Sequence, residues 1–121
     1  MHPARIPAEY WRHRIQMAKA MGCNTIAAYI FWNYQEPAEG VFDFSTGNHD
    51  VARFVKICQE EGMWVLFRPG PYVCAEWEFG GIPPYLLSIP DIKLRCRDPR
   101  YMVAVERYLA SERMRCAFLY S

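Results

Sequence analysis

The apolar positions switch between helical and strand-like spacing along the chain. Trp11, Ile15 and Ala18 recur on one helical face, in a helix that Pro7 opens, that Glu9 supports near its positive end, and that Gly22 is placed to terminate. Asn24 to Phe31 is almost continuously apolar, the pattern of a strand covered on both faces. Trp32-Asn33-Tyr34-Gln35-Glu36-Pro37 leaves it as a polar and aromatic loop. Asn48 is placed to cap a second helix, with Val51, Phe54, Val55 and Cys58 as its apolar stripe and Gly62 at its end. A second strand follows at Met63 to Phe67, then a helical turn at Pro83 to Leu87. Asp98-Pro99 reads as the cap and first residue of a third helix, with Tyr101, Val105, Tyr108 and Leu109 turned inward.

The order is α-β-α-β-α, which predicts an α/β fold with parallel strands joined by right-handed crossovers. Two strands make a poor parallel sheet by themselves, and a complete (β/α)8 barrel takes about 250 residues. The 121 residues therefore read as one incomplete domain, a slice of something larger. A small flavodoxin-like domain is the alternative, but Gly80-Gly81 matches neither of the glycine-rich phosphate loops.

Composition narrows the function. A hydrophobic content of 52% and an aromatic content of 16% exclude a disordered chain. A formal net charge of +1 points to neither nucleic acid nor an anionic membrane. No apolar run approaches the roughly 20 residues needed to span a bilayer. The first residues, Met1-His2-Pro3-Ala4-Arg5, do not read as a signal peptide. The five cysteines (Cys23, Cys58, Cys74, Cys96 and Cys116) are scattered and odd in number, so they read as buried free thiols rather than a disulfide framework or zinc site. His2, His13 and His49 have no partner spacing and read as surface residues.

The most informative stretch follows the second strand: Arg68-Pro69-Gly70-Pro71-Tyr72-Val73-Cys74-Ala75-Glu76-Trp77-Glu78-Phe79-Gly80-Gly81. An apolar run drives into proline and glycine, and two carboxylates then flank a tryptophan. Loops held on rigid scaffolds carry function disproportionately, and in α/β barrels the active site is built at the carboxyl ends of the strands. Acid beside aromatic is the chemistry of sugar recognition, since carboxylates accept sugar hydroxyls and a flat ring stacks on a pyranose. The bland reading is surface charge around a packing tryptophan.

The chain resembles the amino-terminal part of glycoside hydrolase family 35, the β-galactosidases. Arg5-Ile6-Pro7 with Tyr10-Trp11 carries the resemblance, followed by Met21-Gly22-Cys23-Asn24-Thr25-Ile26 and Tyr29-Ile30-Phe31-Trp32-Asn33 with Glu36-Pro37. The Arg68 to Gly81 stretch and Ile92-Lys93-Leu94-Arg95 with Asp98-Pro99 complete it, in family order to about Ser111. The resemblance implies a partial (β/α)8 barrel, about its second and third strands with flanking helices, and retaining hydrolysis of terminal β-D-galactosyl groups. It implies a galactose-containing saccharide as partner and no metal or organic cofactor. Family members are commonly secreted, periplasmic or lysosomal.

Retention needs two carboxyl groups about 5–5.5 Å apart across the anomeric carbon. Glu76 and Glu78 are rejected as that pair, because residues i and i+2 of an extended segment point the same way. In the family the acid/base glutamate lies in an Asn-Glu-Tyr-type motif and the nucleophile further along. No Asn here precedes a Glu, so both are expected beyond Ser121. The tail from Arg113 to Ser121 departs from the pattern, which leads to a fourth strand. The resemblance implies that Tyr29 donates a hydrogen bond to galactose and that Ala75 and Glu76, with Cys74 adjacent, contact its hydroxyls. For Glu76 the competing role is an ion pair with Arg68, and for Tyr29 it is core packing. Trp32 and Trp77 read as pocket wall rather than stacking platforms, and Glu36 as structural. Two rival readings are a non-catalytic carbohydrate-binding relic and a small α/β interaction domain without a sugar site.

Overall fold

The computed structural model describes residues 1–117, with side chains to residue 111. The expectation for the tail therefore falls largely outside the described residues. The elements run α1 (Trp11–Ala20), β1 (Thr25–Tyr29), α2 (Trp32–Gln35), α3 (Val51–Glu60), β2 (Trp64–Arg68), α4 (Pro84–Leu87) and α5 (Pro99–Ala117). Two 3-10 turns, Pro3–Arg5 and Ala8–Tyr10, precede α1. Pro7 precedes the second of them, so α1 starts at Trp11 rather than at the proline. Gly22 ends the turn after α1 at φ +93°, a conformation that costs glycine nothing. The polar-aromatic loop expected after the first strand begins instead with the single helical turn of α2.

β1 and β2 pair in parallel with Thr25 opposite Trp64 and Tyr29 opposite Arg68. On one face Ile26 and Ala28 pack, with Val65 and Phe67 beside them, against Trp11 and Ile15 of α1 and Phe54, Val55 and Cys58 of α3. A second apolar cluster gathers Trp32 of α2, Val51 at the start of α3, Ile82 before α4, Leu86 of α4, and Tyr101, Val105 and Tyr108 of α5. The helical stripes read from the sequence are the buried ones, apart from Ala18 and Leu109, which are only partly buried.

Coverage of the strands on both faces is not what the structure shows. β1 alternates, with Thr25 and Ala27 exposed, and on β2 Trp64 is 74% and Leu66 57% exposed. Among the described residues nothing packs over that face. Helix capping is also redistributed. The Asp50 carboxylate, not Asn48, accepts from the Arg53 amide at the start of α3 (2.9 Å), and Asn48 Oδ1 accepts from the Ala8 amide at 2.8 Å. Of the described cysteines only Cys58 is buried, and burial pushes its thiol up to about 11. Cys23, Cys74 and Cys96 are exposed, against the expectation of buried thiols.

The open face and the two-stranded sheet carry a prediction. Exposed apolar patches and unpaired strand edges drive association. The isolated chain is expected to self-associate at micromolar concentration, and Trp64→Lys with Leu66→Glu should shift it toward monomer in sedimentation velocity. A wild-type monomer at high concentration would contradict this.

Candidate functional site

Because β1 and β2 are parallel, their carboxyl ends, Tyr29 and Arg68, lie side by side. The Arg68 guanidinium sits over the Tyr29 ring at 4.3 Å, a cation–π geometry. Arg68 is thus placed against Tyr29, and no ion pair with Glu76, its competing role, is found among the described residues. His2 packs on the other strand edge: its Nδ1 accepts from the Tyr29 amide (3.2 Å) and its ring lies 5.2 Å from the Tyr29 ring. His2 is thus half-buried rather than a free surface residue. Burial, and then the nearby positive charges of the terminal amine, Arg5 and Arg68, lower its pKa, so the neutral acceptor form is favoured.

The Pro69–Trp77 loop continues from β2. Val73 and Ala75 turn inward and are buried against Phe31, with Tyr29, Tyr34 and Trp77 packed around them. Cys74 and Glu76 alternate with them and are exposed. The loop then doubles back, the Val73 amide donating to the Gly80 carbonyl at 2.8 Å. Gly80 is required at that crossing: its φ is +62°, and a Cβ there would fall 2.1 Å from the Tyr72 ring. Glu76 itself has φ +48°. A left-handed non-glycine residue costs on the order of 1–3 kcal/mol and persists only where its surroundings hold it. The extended geometry assumed between Glu76 and Glu78 is therefore absent, and that argument against their pairing lapses. Both side chains are exposed, and Glu78 opens a 3-10 turn, Glu78–Gly81.

Trp77 is engaged in packing. It stacks on Phe31 at 4.0 Å with an interplanar angle of 1°, meets Tyr34 edge-on, and donates its indole N–H to Asn33 Oδ1 at 2.7 Å. Trp32 is fully buried, stacked on Tyr108 at 5.2 Å. Tyr34 in turn stacks on His49 at 3.9 Å, so His49 is part of the packing as well. His13 alone of the three histidines is exposed.

Below this wall lies a polar knot. Glu36 is 0% exposed. Its carboxylate accepts from the Trp32 indole (2.6 Å), the Gly40 amide (3.1 Å) and the Tyr85 hydroxyl (2.8 Å), with the Arg107 guanidinium at 3.7 Å. Burial, and then the hydrogen bond to Glu36, push the Tyr85 phenol up to about 12. Glu36 therefore ties α2 to α4 and α5, the structural part that its place before Pro37 suggested.

Of the four residues named from sequence, Tyr29 and Ala75 meet in one cluster, while Cys74 and Glu76 stand at its exposed rim. No sequence pattern assigns Arg5 a role of its own. Its Nη2 donates to the carbonyls of Ala75 and, at 2.9 Å, of Glu76. The only signal was its place in the Arg-Ile-Pro segment of the resemblance.

Fold and loop together define an α/β chain whose parallel strands deliver an aromatic ring and an exposed carboxylate to one end. The comparisons make the family explicit. The model for glycosyl hydrolases family 35 matches residues 1–118, somewhat past the Ser111 to which the resemblance extends, and this chain belongs to that family. It is 52% identical over 109 residues to a β-galactosidase of Xanthomonas manihotis, taking in 90% of this chain and 18% of that protein. It is 46% identical over 110 residues to a β-galactosidase of Mus musculus (91% and 17%) and 45% identical over 109 residues to one of Homo sapiens (90% and 16%). The chain thus spans less than a fifth of the length of these relatives.

Proposed function

We propose that residues 1–121 form part of a (β/α)8 catalytic domain of a retaining β-galactosidase. In this reading β1 and β2 are neighbouring barrel strands and the open face of Thr25, Ala27, Trp64 and Leu66 looks into the barrel. Tyr29, Cys74, Ala75 and Glu76 supply one wall of the pocket for a terminal β-D-galactosyl group. Tyr29 donates a hydrogen bond to the sugar, and the ionised Glu76 accepts from its hydroxyls. The acid/base and the nucleophile lie outside these residues. One protonates the leaving oxygen and then activates water, while the other attacks the anomeric carbon to form a galactosyl ester.

Family membership carries the reading. It is supported by the position of Tyr29 and the Glu76 loop at one end of two parallel strands, where such barrels place their chemistry. The buried Ala75 also suits a backbone contact to a ligand better than a side-chain one.

The isolated chain is expected not to hydrolyse a chromogenic β-galactoside above background, because the acid/base group alone contributes about 10²–10⁴ in rate. Exchanged for the matching segment of a full-length family 35 enzyme, the same residues should support hydrolysis with retained anomeric configuration. Turnover by the pure isolated chain, abolished by Glu76→Gln, would show that the catalytic groups have been misplaced. A preference of the exchanged enzyme for glycosides other than β-galactosides would defeat the substrate assignment.

A further inference from the structure

We propose that Arg5 is a positioning residue for Glu76, clamping the strained backbone from which that carboxylate is presented. The inference rests on the reading of Glu76 as a sugar-binding acid and adds the device that aims it. Glu76 is left-handed at φ +48°, on an exposed stretch where its own side chain buries nothing that would pay for the strain. Two successive carbonyls, those of Ala75 and Glu76, are turned toward one nitrogen of Arg5, 70 residues away in sequence. One cation facing both carbonyls offsets the repulsion between their aligned dipoles and favours that orientation.

Arg5 is itself held on both sides. The buried Trp11 indole donates to the Pro3 carbonyl at 3.3 Å and to the Ile6 carbonyl at 2.8 Å, bracketing the turn that carries Arg5. Its guanidinium carbon lies 5.4 Å from the Phe31 ring and 5.4 Å from the Trp77 ring, and those two rings stack on each other. A rigid line therefore runs from the α1 core through Trp11 and Arg5 to the Glu76 peptide. The arginine is exposed and none of the apolar clusters includes it, so its removal should spare the fold.

The test is a double-mutant cycle in a full-length family 35 enzyme carrying this segment. It uses Arg5→Met, which keeps length without donors, together with Glu76→Gln and the combined variant. Arg5→Met is expected to lower kcat/KM for a β-galactoside by about 10²-fold, the effect of a misplacement near 1 Å, with the thermal midpoint little changed. Arg5→Lys should recover about tenfold of that loss, because it returns a charged donor without the planar group. Glu76→Gln, costly in the parent, should cost at most about threefold in the Arg5→Met background, since coupled residues are not additive. A full Glu76→Gln penalty in that background, or Arg5→Met within threefold of the parent, overturns the inference alone. A harmless Glu76→Gln in the parent overturns the reading of Glu76 and the inference with it. Should Arg5→Met fail to fold, the cycle is run on Arg5→Lys, where a Glu76→Gln penalty clearly smaller than in the parent upholds the inference and a penalty equal to the parent's overturns it.

Discussion

Glu76→Gln in a full-length family 35 enzyme carrying this segment is expected to lower kcat/KM for β-galactosides by one to two orders of magnitude. The side chain keeps its shape and loses its charge, and a hydrogen bond to a charged group is worth about 1.5–3 kcal/mol. Glu76 stands exposed at the rim of the Tyr29, Phe31 and Ala75 cluster, free to accept from a ligand. Part of the loss should fall in kcat, because hydroxyl contacts strengthen as the ring distorts toward the oxocarbenium-like transition state. Glu78→Gln should cost less, since Glu78 has already entered the 3-10 turn that leads away from the loop. Steady-state kinetics on both variants decide the matter. A near-neutral Glu76→Gln beside a damaging Glu78→Gln would reassign the sugar-binding acid.

Glu36→Ala should be strongly destabilising for a single change at a polar residue. It strands the Trp32 indole N–H, the Gly40 amide and the Tyr85 hydroxyl around a fully buried site. An unsatisfied buried polar group costs about 1–3 kcal/mol. Water reaching the cavity offsets part of this, so the expected total is roughly 3–5 kcal/mol, the range seen when one partner of a buried network is removed. Denaturant unfolding of the full-length protein measures it.

The same knot has an alkaline signature. The folded phenol of Tyr85 is raised to about 12 against an ordinary value near 10, so the folded state holds its proton where the unfolded state releases it. Its stabilising contribution is complete below pH 10 and is lost as pH rises from 10 to about 12. In Glu36→Ala the tyrosinate absorbance should develop at lower pH, though not at the free value, because burial is the larger cause. An unchanged midpoint would remove Glu36 from the account.

Much of the fold was legible in the sequence. Val51, Phe54, Val55 and Cys58 announce α3 because a helix returns every third or fourth residue to one face, and all four are buried. Asp98-Pro99 and Gly62 mark boundaries through backbone chemistry that acts within a few residues. The loop from Arg68 to Gly81 stands out because proline, glycine and acid cannot continue a buried strand. Local patterns of this kind give the α/β order and the parallel strands, and the family follows from the resemblance carried by this loop together with the matching segments from Arg5 to Pro99.

Only the tertiary structure decided which polar groups meet. Asn48 and Asp50 are both good caps, and the choice between them depended on Ala8 presenting an amide to Asn48 from 40 residues away. His2 reads as surface until Tyr29 turns its amide toward it, and Arg5 has no apparent role until Ala75 and Glu76 turn their carbonyls toward it. Glu36 draws donors from α2, the following loop and α4, which no local pattern brings together. Apolar residues advertise their burial through periodicity, since one solvent boundary acts on a whole element at once. A hydrogen bond or cation–π contact is a pairwise event between distant segments, and it carries no period for the sequence to display.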